Sequence, residues 1–561
     1  MGARYQWISA GSFHPTVRLR RGLRRRAFRR DRVPGRNPRP WIFRAIAALA
    51  VGSIIPVAQA QTSSNAVGTG SSASPAVEVS LPVLISTASF RGEGCQGCHG
   101  AIRDRSPQAL SPETSPRDGG TYDVVIVGGG LAGLTAGYYL REYRSLVLEK
   151  ESRIGGKMRR ESFHGRLYPV GGIYTGEPEG KIRGMFRALG IKPQRVVLSD
   201  HSMMLMDGTV VHRWISGDAA RLPYSGPAQA RIAKFQEAMR RWVSEDKLSL
   251  PIEECDPQAL AELDRFSFYQ WVDNRFGSEA AELADLYCRD VFGIGARDIS
   301  AVAGLMFMSS ELAPSYTWEG GLGVISESLG EALPHISTGM FVWRVSQDLD
   351  GATVEFHDGK KDWRVHARAV VLAVPAMVAR RIAVGWSEEK QEALSKVRYS
   401  SYAIVPLRFK RVLWKEALIL WTPGRYFADL TLPLPSAQSL KGASDQILLA
   451  SIPMDESGGR KVLLEASDSE LTAKVLEDLD TVFAGASSEV VEARVLRWGH
   501  AMPIPYPGYL TAVRPILAKP EGRFFLAGVD TQLPALEGAF YSGLRAADAV
   551  RRFLKTQRVG P

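Results

Sequence analysis

The stretch "YDVVIVGGGLAGLTAGYYLREYRSLVLEK", Tyr122 to Lys150, decides the fold. Asp123 to Val127 is a short, β-branched apolar run closed by glycine, which reads as a buried strand. The turn after it holds Gly128, Gly130 and Gly133, and the helix that follows runs to about Tyr143. A second strand, Ser145 to Leu148, ends at Glu149. Glycines at these three positions permit a tight turn and let backbone N–H groups approach a pyrophosphate at the helix N-terminus. Glu149 is placed to accept hydrogen bonds from a pair of ribose hydroxyls. A lone Gly-x-Gly-x-x-Gly is weak evidence, and a glycine-rich turn that binds nothing is its bland alternative. Here strand, helix, second strand and terminal acid stand in register, which points to a dinucleotide site in an α/β, Rossmann-like domain.

Toward the N-terminus the chain changes character. It has 561 residues and a formal net charge of +11, which at first suggests a nucleic-acid or membrane partner. Residues 1–60 carry thirteen Arg, from Arg4 to Arg44, against the single acid Asp31, a balance of +12, so the remainder is near −1. The basic excess belongs to the leader, and no nucleic-acid partner is expected. The apolar run "AIAALAVGSIIPV", Ala45 to Val57, precedes "AQA", whose Ala58 and Ala60 suit a signal peptidase. The expectation is an export signal over 1–60, cleaved after Ala60, with a periplasmic or otherwise exported product. An uncleaved anchor is the alternative, but the run is short of the ~20 apolar residues of a stable membrane span. Arg25-Arg26-x-Phe28 resembles a twin-arginine signal, although Arg24 and the long gap to the apolar run depart from it.

Between leader and strand, residues 61–120 look linker-like: Ser, Ala, Thr and Gly first, then "DRSPQALSPETSPRDGG". Within them "GEGCQGCHG" sets Cys95, Cys98 and His99 in Cys-x-x-Cys-His spacing. Two such thiols can form thioethers to haem vinyl groups, with His99 as the iron ligand, the one metal-ligating residue expected. A local disulfide and a zinc half-site are the alternatives, the second lacking partners for four ligands. The segment is small for a cytochrome c, and neither Met nor His lies between Ala101 and Gly120 to be a distal ligand. The two other cysteines, Cys255 and Cys288, could pair or remain separate buried thiols.

Toward the C-terminus three more motifs follow. "EKESRIGGKM" brings Arg153, Gly155, Gly156 and Lys157, and "YPVGGIYTG" brings Gly171 and Gly172. After the strand-like "ARAVVLAVPAMV" (Ala367 to Val378), the chain closes with "RFFLAGVDTQLPALEGAFYSGLRAADAVRRFL". As an ordered set these resemble the flavin-containing amine oxidase superfamily, which spans monoamine oxidases, protoporphyrinogen oxidase and phytoene desaturases. The resemblance covers about 121–561 and implies FAD. It implies a discontinuous FAD-binding domain over about 121–200, 320–385 and 500–561, with an α+β substrate domain from 201–319 and 386–499. Helical "AQARIAKFQEAMRRWV" and strand-like "YAIVPLRFK" fall in those middle parts.

The resemblance also implies roles. Gly128, Gly130 and Gly133 would face the pyrophosphate and Glu149 the ribose, with Arg153, Gly156, Lys157 and the paired Gly172 along the nucleotide. Val342 in "MFVWRV" would meet adenine through its backbone. Gly528 and Asp530 would lie by the ribityl and phosphate groups. Gly538 and Ala539 would start a helix aimed at the flavin ring, its dipole favouring negative charge there.

Two departures bear on the reaction. Counting back from Trp414, the lysine that many amine oxidases hold against the flavin is replaced by Ile404. The family's cage tyrosine is replaced by Ala535, and "RWGHAMPIPYPGY" instead resembles the protoporphyrinogen oxidase and desaturase branch. His500, Met502 and Tyr506 are the candidates for substrate contacts, His500 and Tyr506 the catalytic ones, with core packing as the commoner alternative. The expectation is an exported FAD dehydrogenase acting on an amine or amino acid. Its electrons would pass one at a time through haem c to a soluble cytochrome c or a copper protein. A carbon–carbon desaturase or protoporphyrinogen-oxidase-like enzyme, and a flavin electron carrier without its own substrate, are the alternatives.

Overall fold

A computed structural model describes residues 83–86, 119–192, 194–196, 200, 202–245, 248–415, 418–433, 443–454 and 458–557. The leader, the cleavage site after Ala60, and Cys95, Cys98 and His99 lie outside the described residues. Among the described residues no helix is long and apolar enough to cross a membrane.

Two sheets organise the chain. The first has the order Ile336–Ser337, Ser145–Leu148, Thr121–Val127, Asp362–Leu372, Ala352–His357, Phe341–Gln347, with Phe524–Leu526 also beside Asp362–Leu372. Asp362–Leu372 begins in an antiparallel meander and ends parallel to both Thr121–Val127 and Phe524–Leu526. The "DVVIV" run is buried on both faces because a parallel sheet is covered on both sides. Val124 and Ile126 pack with the first helix (Leu131–Tyr139) and the closing helix (Leu536–Thr556), while Val125 and Val127 pack into the larger core beneath. The two helices touch so closely that a Cβ on Gly543 would lie 2.3 Å from the Ala132 carbonyl oxygen. Two boundaries differ from expectation. The first helix stops at Tyr139, because Arg141–Tyr143 must turn the chain into Ser145. The strand expected to reach Val378 stops at Leu372, where Pro375 cannot extend a ladder and instead caps the helix Ala376–Ile382.

The second sheet, of nine strands, follows the order Leu84–Ile85, Val490–Ala493, Tyr399–Phe409, Gln446–Met454, Asp429–Thr431, Ile419–Trp421, Ser202–Met206, Thr209–His212, with Leu496–Pro503 alongside Tyr399–Phe409. Alternation sends Ala403, Val405 and Leu407 to one core and Tyr402 and Ile404 to another. Helices of the middle region, among them Gly226–Glu245 and Ser278–Phe292, pack into the large shared core. Cys255 and Cys288 are both buried and free, so they are separate thiols.

The linker-like reading of 61–120 needs a correction at one place. Leu84–Ile85 pairs in parallel with Val490–Ala493, and the apolar "VLI" inside the Ser-rich stretch was the signal for it. Ser86 then donates to Glu492, whose side chain is only 3% exposed and also meets His164 (2.9 Å), Arg408 (3.3 Å) and Arg494 (3.6 Å). Burial alone would push the Glu492 carboxyl up, but hydrogen bonds from Ser86, His164 and Arg408 outweigh it and hold it low. Glu492→Ala leaves two guanidinium groups and Ser86 without their shared acceptor. The expected result is a loss of about 2–4 kcal/mol in denaturant unfolding, with faster protease cleavage N-terminal to the glycine strand.

Candidate functional site

The groove is built from glycines that have no room for a side chain. Gly128, at φ +107°, sits where a Cβ would be 2.4 Å from the Ala373 carbonyl oxygen, and a Cβ on Gly133 would be 2.0 Å from the Gly128 oxygen. Gly130 is different: nothing lies within 4 Å of its Cβ direction. Two glycines are thus demanded by packing, and the third leaves backbone open to an approaching group. Gly130 also precedes the first helix, whose N-terminal N–H groups have no side-chain cap. Uncapped N–H groups behind an open glycine suit a phosphate.

The other glycine loops stack on this turn. Gly155 N–H donates to the Gly129 oxygen (2.8 Å), and Gly172 N–H donates to the Lys157 oxygen (2.9 Å). Gly156 follows Gly155 at φ +52°, a second left-handed step whose Cβ direction points to the Gly130 backbone at 3.5 Å. Glu149 ends its strand with Oε2 accepting from Gly129 N–H (2.6 Å) and Oε1 from Glu151 N–H (2.8 Å). Its carboxyl is enclosed by protein, and burial pushes it up, yet the residue keeps accessible surface. That combination belongs to the wall of an internal groove, where each oxygen can take one further donor. Met340 N–H donates to the Glu149 oxygen (2.8 Å), and the pairing register shifts between Val342 and Arg344, so Val342 lies at a bulge beside the Glu149 end. Arg153 pairs with Glu161 (3.4 Å) and is half-exposed.

Asp530 anchors the other end. It is 6% exposed; Oδ1 accepts from the Tyr399 hydroxyl (2.9 Å) and Oδ2 from Ala376 N–H (3.0 Å). Burial pushes its carboxyl up, and the Tyr399 bond and the nearby Lys157 charge oppose this. Arg545 of the closing helix fixes the turn by donating to the Leu526 oxygen (3.0 Å) and Thr531 Oγ1 (2.8 Å). Gly528 N–H is taken by Ser542 (2.9 Å). The closing helix has no side-chain cap at Ala535, and a Cβ on Gly538 would meet the Leu533 oxygen at 2.0 Å, while the neighbouring Ala539 is accommodated. Glu537 in its first turn accepts from Thr175 Oγ1 (2.7 Å) and Gly176 N–H (2.9 Å), tying the "GGIYTG" loop to this helix.

His500 lies in a bulge of Leu496–Pro503, where the register against Tyr399–Phe409 shifts. Its ring packs edge-on to Tyr399 at 5.3 Å, which brings it to the Asp530 end. Tyr506 is placed differently, its hydroxyl donating to the Lys396 oxygen (3.1 Å) in a loop-anchoring contact. Met502 is half-buried between two cores. Tyr399 escaped the sequence reading: it opens an apolar strand and looks like one more core residue.

Past the "GGIYTG" loop lies a set of enclosed acids. Asp290 lies in the last turn of the helix Ser278–Phe292, Glu311 follows the helix Ala301–Ser310, and Asp429 opens a strand of the second sheet. Burial pushes the Asp290 and Asp429 carboxyls up, Thr431 donates to Asp429, and Tyr287 donates to Glu311 (3.2 Å). Burial pushes Glu311 up to about 7. Because 7 exceeds the ordinary 4.5, the fold prefers the protonated acid, and its share of stability is lost as pH rises from 4.5 through 7. For Glu311 that share is about 3 kcal/mol. Melting of the protein without added amine should therefore weaken toward pH 8, and Glu311→Gln should flatten that slope.

Residues 131–551 match the sequence model of a family described as flavin containing amine oxidoreductase. An L-amino-acid oxidase of Siganus canaliculatus is 24% identical over 466 residues, 76% of this chain and 85% of the other. A nicotine dehydrogenase of Pseudomonas putida is 25% identical over 504 residues, 84% of this chain and 97% of the other. Among solved structures, a putrescine oxidase double mutant redesigned in cofactor binding aligns with a TM-score of 0.63 and 21% identity, over 77% of this chain and 99% of that one.

Proposed function

The chain belongs to the family of flavin-containing amine oxidoreductases and is an FAD-dependent oxidoreductase, and on that premise we propose that it is an exported amine dehydrogenase. In this reading it takes a hydride from the carbon bonded to nitrogen and delivers electrons, through haem c on Cys95, Cys98 and His99, to a soluble periplasmic cytochrome c or copper protein. The observation that carries the dehydrogenase reading is the Cys-x-x-Cys-His motif, since a haem takes the two electrons of a reduced flavin one at a time. The name of the nicotine dehydrogenase relative supports it, and Ile404, buried where many amine oxidases have lysine, departs from the oxidase pattern.

Bound FAD supplies the hydride acceptor. The glycine loops at Gly128–Gly130, Gly155–Gly156 and Gly171–Gly172 would hold its nucleotide half, with Glu149 at the ribose. Asp530, fixed by Tyr399 and Ala376, would take the ribityl end. The uncapped start of the closing helix would present the positive end of its dipole to bound flavin. His500 and Tyr399, in edge-on contact at the Asp530 end, would stand beside the amine. The substrate reacts as the neutral amine, its nitrogen lone pair closing the C=N bond as the hydride leaves. Water then converts the imine to a carbonyl compound and ammonia or a smaller amine.

The test is anaerobic addition of amines to the purified holoprotein. The expected result is bleaching of flavin absorbance followed by growth of reduced-haem bands. The double variant Cys95→Ala, Cys98→Ala should keep amine bleaching and lose both covalent haem and cytochrome reduction. N-terminal sequencing of exported material should begin at Gln61. A full-length protein carrying FAD but no covalent haem contradicts the wiring, and bleaching by no amine contradicts the reaction.

A further inference from the structure

We infer that Glu253 and Gln532 are a positioning pair for the flavin: they tie the middle region of the chain to the turn over 528–532 and hold that turn in the shape that receives FAD. This rests on the reading above that places the ribityl end of FAD at Asp530, and adds the residues that keep Asp530 in place.

Gln532 is 1% exposed, and both ends of its side chain are committed across the fold. Its Oε1 accepts from Ile252 N–H (2.9 Å), and its Nε2 donates to Glu253 Oε2 (2.7 Å). Ile252 is itself buried and opens the single helical turn Ile252–Glu254. The other Glu253 oxygen accepts from Arg514 (2.6 Å) and lies 3.7 Å from Arg545. Arg545 donates in turn to the Thr531 carbonyl oxygen (3.3 Å) and hydroxyl (2.8 Å), and the Thr531 hydroxyl donates to the Gly528 oxygen (2.8 Å). The Asp530 carbonyl oxygen is taken by the buried Tyr509 hydroxyl. Residues on both sides of Asp530 are thus gripped by side chains. Among the described residues Glu253 is the one acid that forms an ion pair with either guanidinium. Burial pushes Arg545 down to about 10, so it stays charged at neutral pH. Burial would push the Glu253 carboxyl up, but the bond from Gln532 and the Arg514 charge outweigh it and hold it low.

Packing alone does not call for these groups. A buried amide is costly unless both its ends are met, and an apolar side chain of similar size would fill the space without partners. What the amide adds is direction: its bonds to Ile252 and Glu253 are satisfied in one arrangement of the turn only. That turn lies between the strand Phe524–Leu526 and the uncapped start of the closing helix, and it carries Gly528 and Asp530. Without the bridge the turn can relax, and the Asp530 carboxyl then leaves Tyr399 and Ala376 N–H. Coupling of this kind is reciprocal. If the segment at Ile252 and Glu253 holds the turn for FAD, bound FAD must hold that segment in return.

The experiment exchanges the two groups in the full-length protein and titrates each FAD-free form with FAD. In Glu253→Gln either Gln532 or Arg514 loses its carboxylate oxygen, and in Gln532→Glu two carboxylates face each other. Each single variant should bind FAD about tenfold or more weakly than wild type, the size expected of a hydrogen bond to a charged group. The double variant Glu253→Gln, Gln532→Glu restores every donor–acceptor pair. The carboxylate at position 532 then accepts from Ile252 N–H and from the amide at position 253, whose oxygen faces Arg514. Its FAD affinity should return to within about threefold of wild type, whereas two independent structural losses would add. A second measurement needs no variant: hydrogen exchange of wild type with and without FAD. FAD should slow exchange at Ile252, read in peptides covering 250–255, by about tenfold or more. That slowing should exceed any in the helix Asp468–Val482, which packs in a separate core. Wild-type FAD affinity in both single variants, additive losses in the double variant, or unchanged exchange at Ile252 overturns the inference and leaves the flavin reading standing. A wild-type protein that takes up no FAD sinks the flavin reading and this inference with it.

Discussion

Gly133→Ala should yield a protein that purifies without flavin and does not recover it on titration with FAD. The added Cβ would lie 2.0 Å from the Gly128 carbonyl oxygen, far inside contact distance. Gly128 cannot retreat, because its own Cβ direction is closed at 2.4 Å by the Ala373 oxygen on the neighbouring strand. The clash must be relieved by shifting the first helix off its sheet, which removes the phosphate-facing N–H groups together. A loss of about 3 kcal/mol or more, over a hundredfold in FAD affinity, is expected. Gly130→Ala separates packing from ligand approach. Its Cβ meets nothing within 4 Å, so the FAD-free protein should melt as wild type does. Yet FAD should bind about tenfold or more weakly, because the methyl group enters the space the pyrophosphate needs. Flavin-to-protein ratio and FAD titration check both. Wild-type flavin content in Gly133→Ala would mean that the nucleotide lies elsewhere.

Asp530→Ala is expected to be nearly as severe, for a different reason. The carboxylate is the acceptor for the Tyr399 hydroxyl and Ala376 N–H, both in the protein interior. Removing it leaves the buried Tyr399 hydroxyl without its acceptor, at about 1–3 kcal/mol, while Ala376 N–H keeps the Tyr399 oxygen at 2.8 Å. It also removes the expected anchor of the ribityl end. The variant should melt well below wild type and hold FAD weakly. Asp530→Asn keeps the shape but presents one oxygen where two were used, so an intermediate loss is expected. A variant that kept full flavin content and wild-type melting would remove Asp530 from the account.

The dinucleotide half of the fold was readable because each element carries a local signature. "DVVIV" is a strand under any reading, and two of the three glycines after it, Gly128 and Gly133, are dictated by backbone clashes a few residues away in sequence or one strand over. Glu149 was readable because its place at the strand end is a short-range consequence of that unit. The second sheet was much less so. Its strands pair across hundreds of residues, as Leu84–Ile85 does with Val490–Ala493, and such pairings leave no periodic trace beyond an apolar run. For the same reason the contact between Tyr399 and Asp530, and the gathering of Asp290, Glu311 and Asp429, could not be read. Each residue looks ordinary in its own segment, and only the folded chain brings them together. Pro375 was the one local signal passed over: it ends the strand expected to reach Val378.

The most direct measurement is the amount of FAD released on denaturing the full-length protein made with ample riboflavin, compared with its Gly130→Ala variant. One FAD per polypeptide in the wild type, and a large deficit in a variant that melts normally without cofactor, is the predicted result. A colourless wild-type protein, or a Gly130→Ala protein that holds FAD as tightly as wild type, would contradict a nucleotide lying along the first glycine turn.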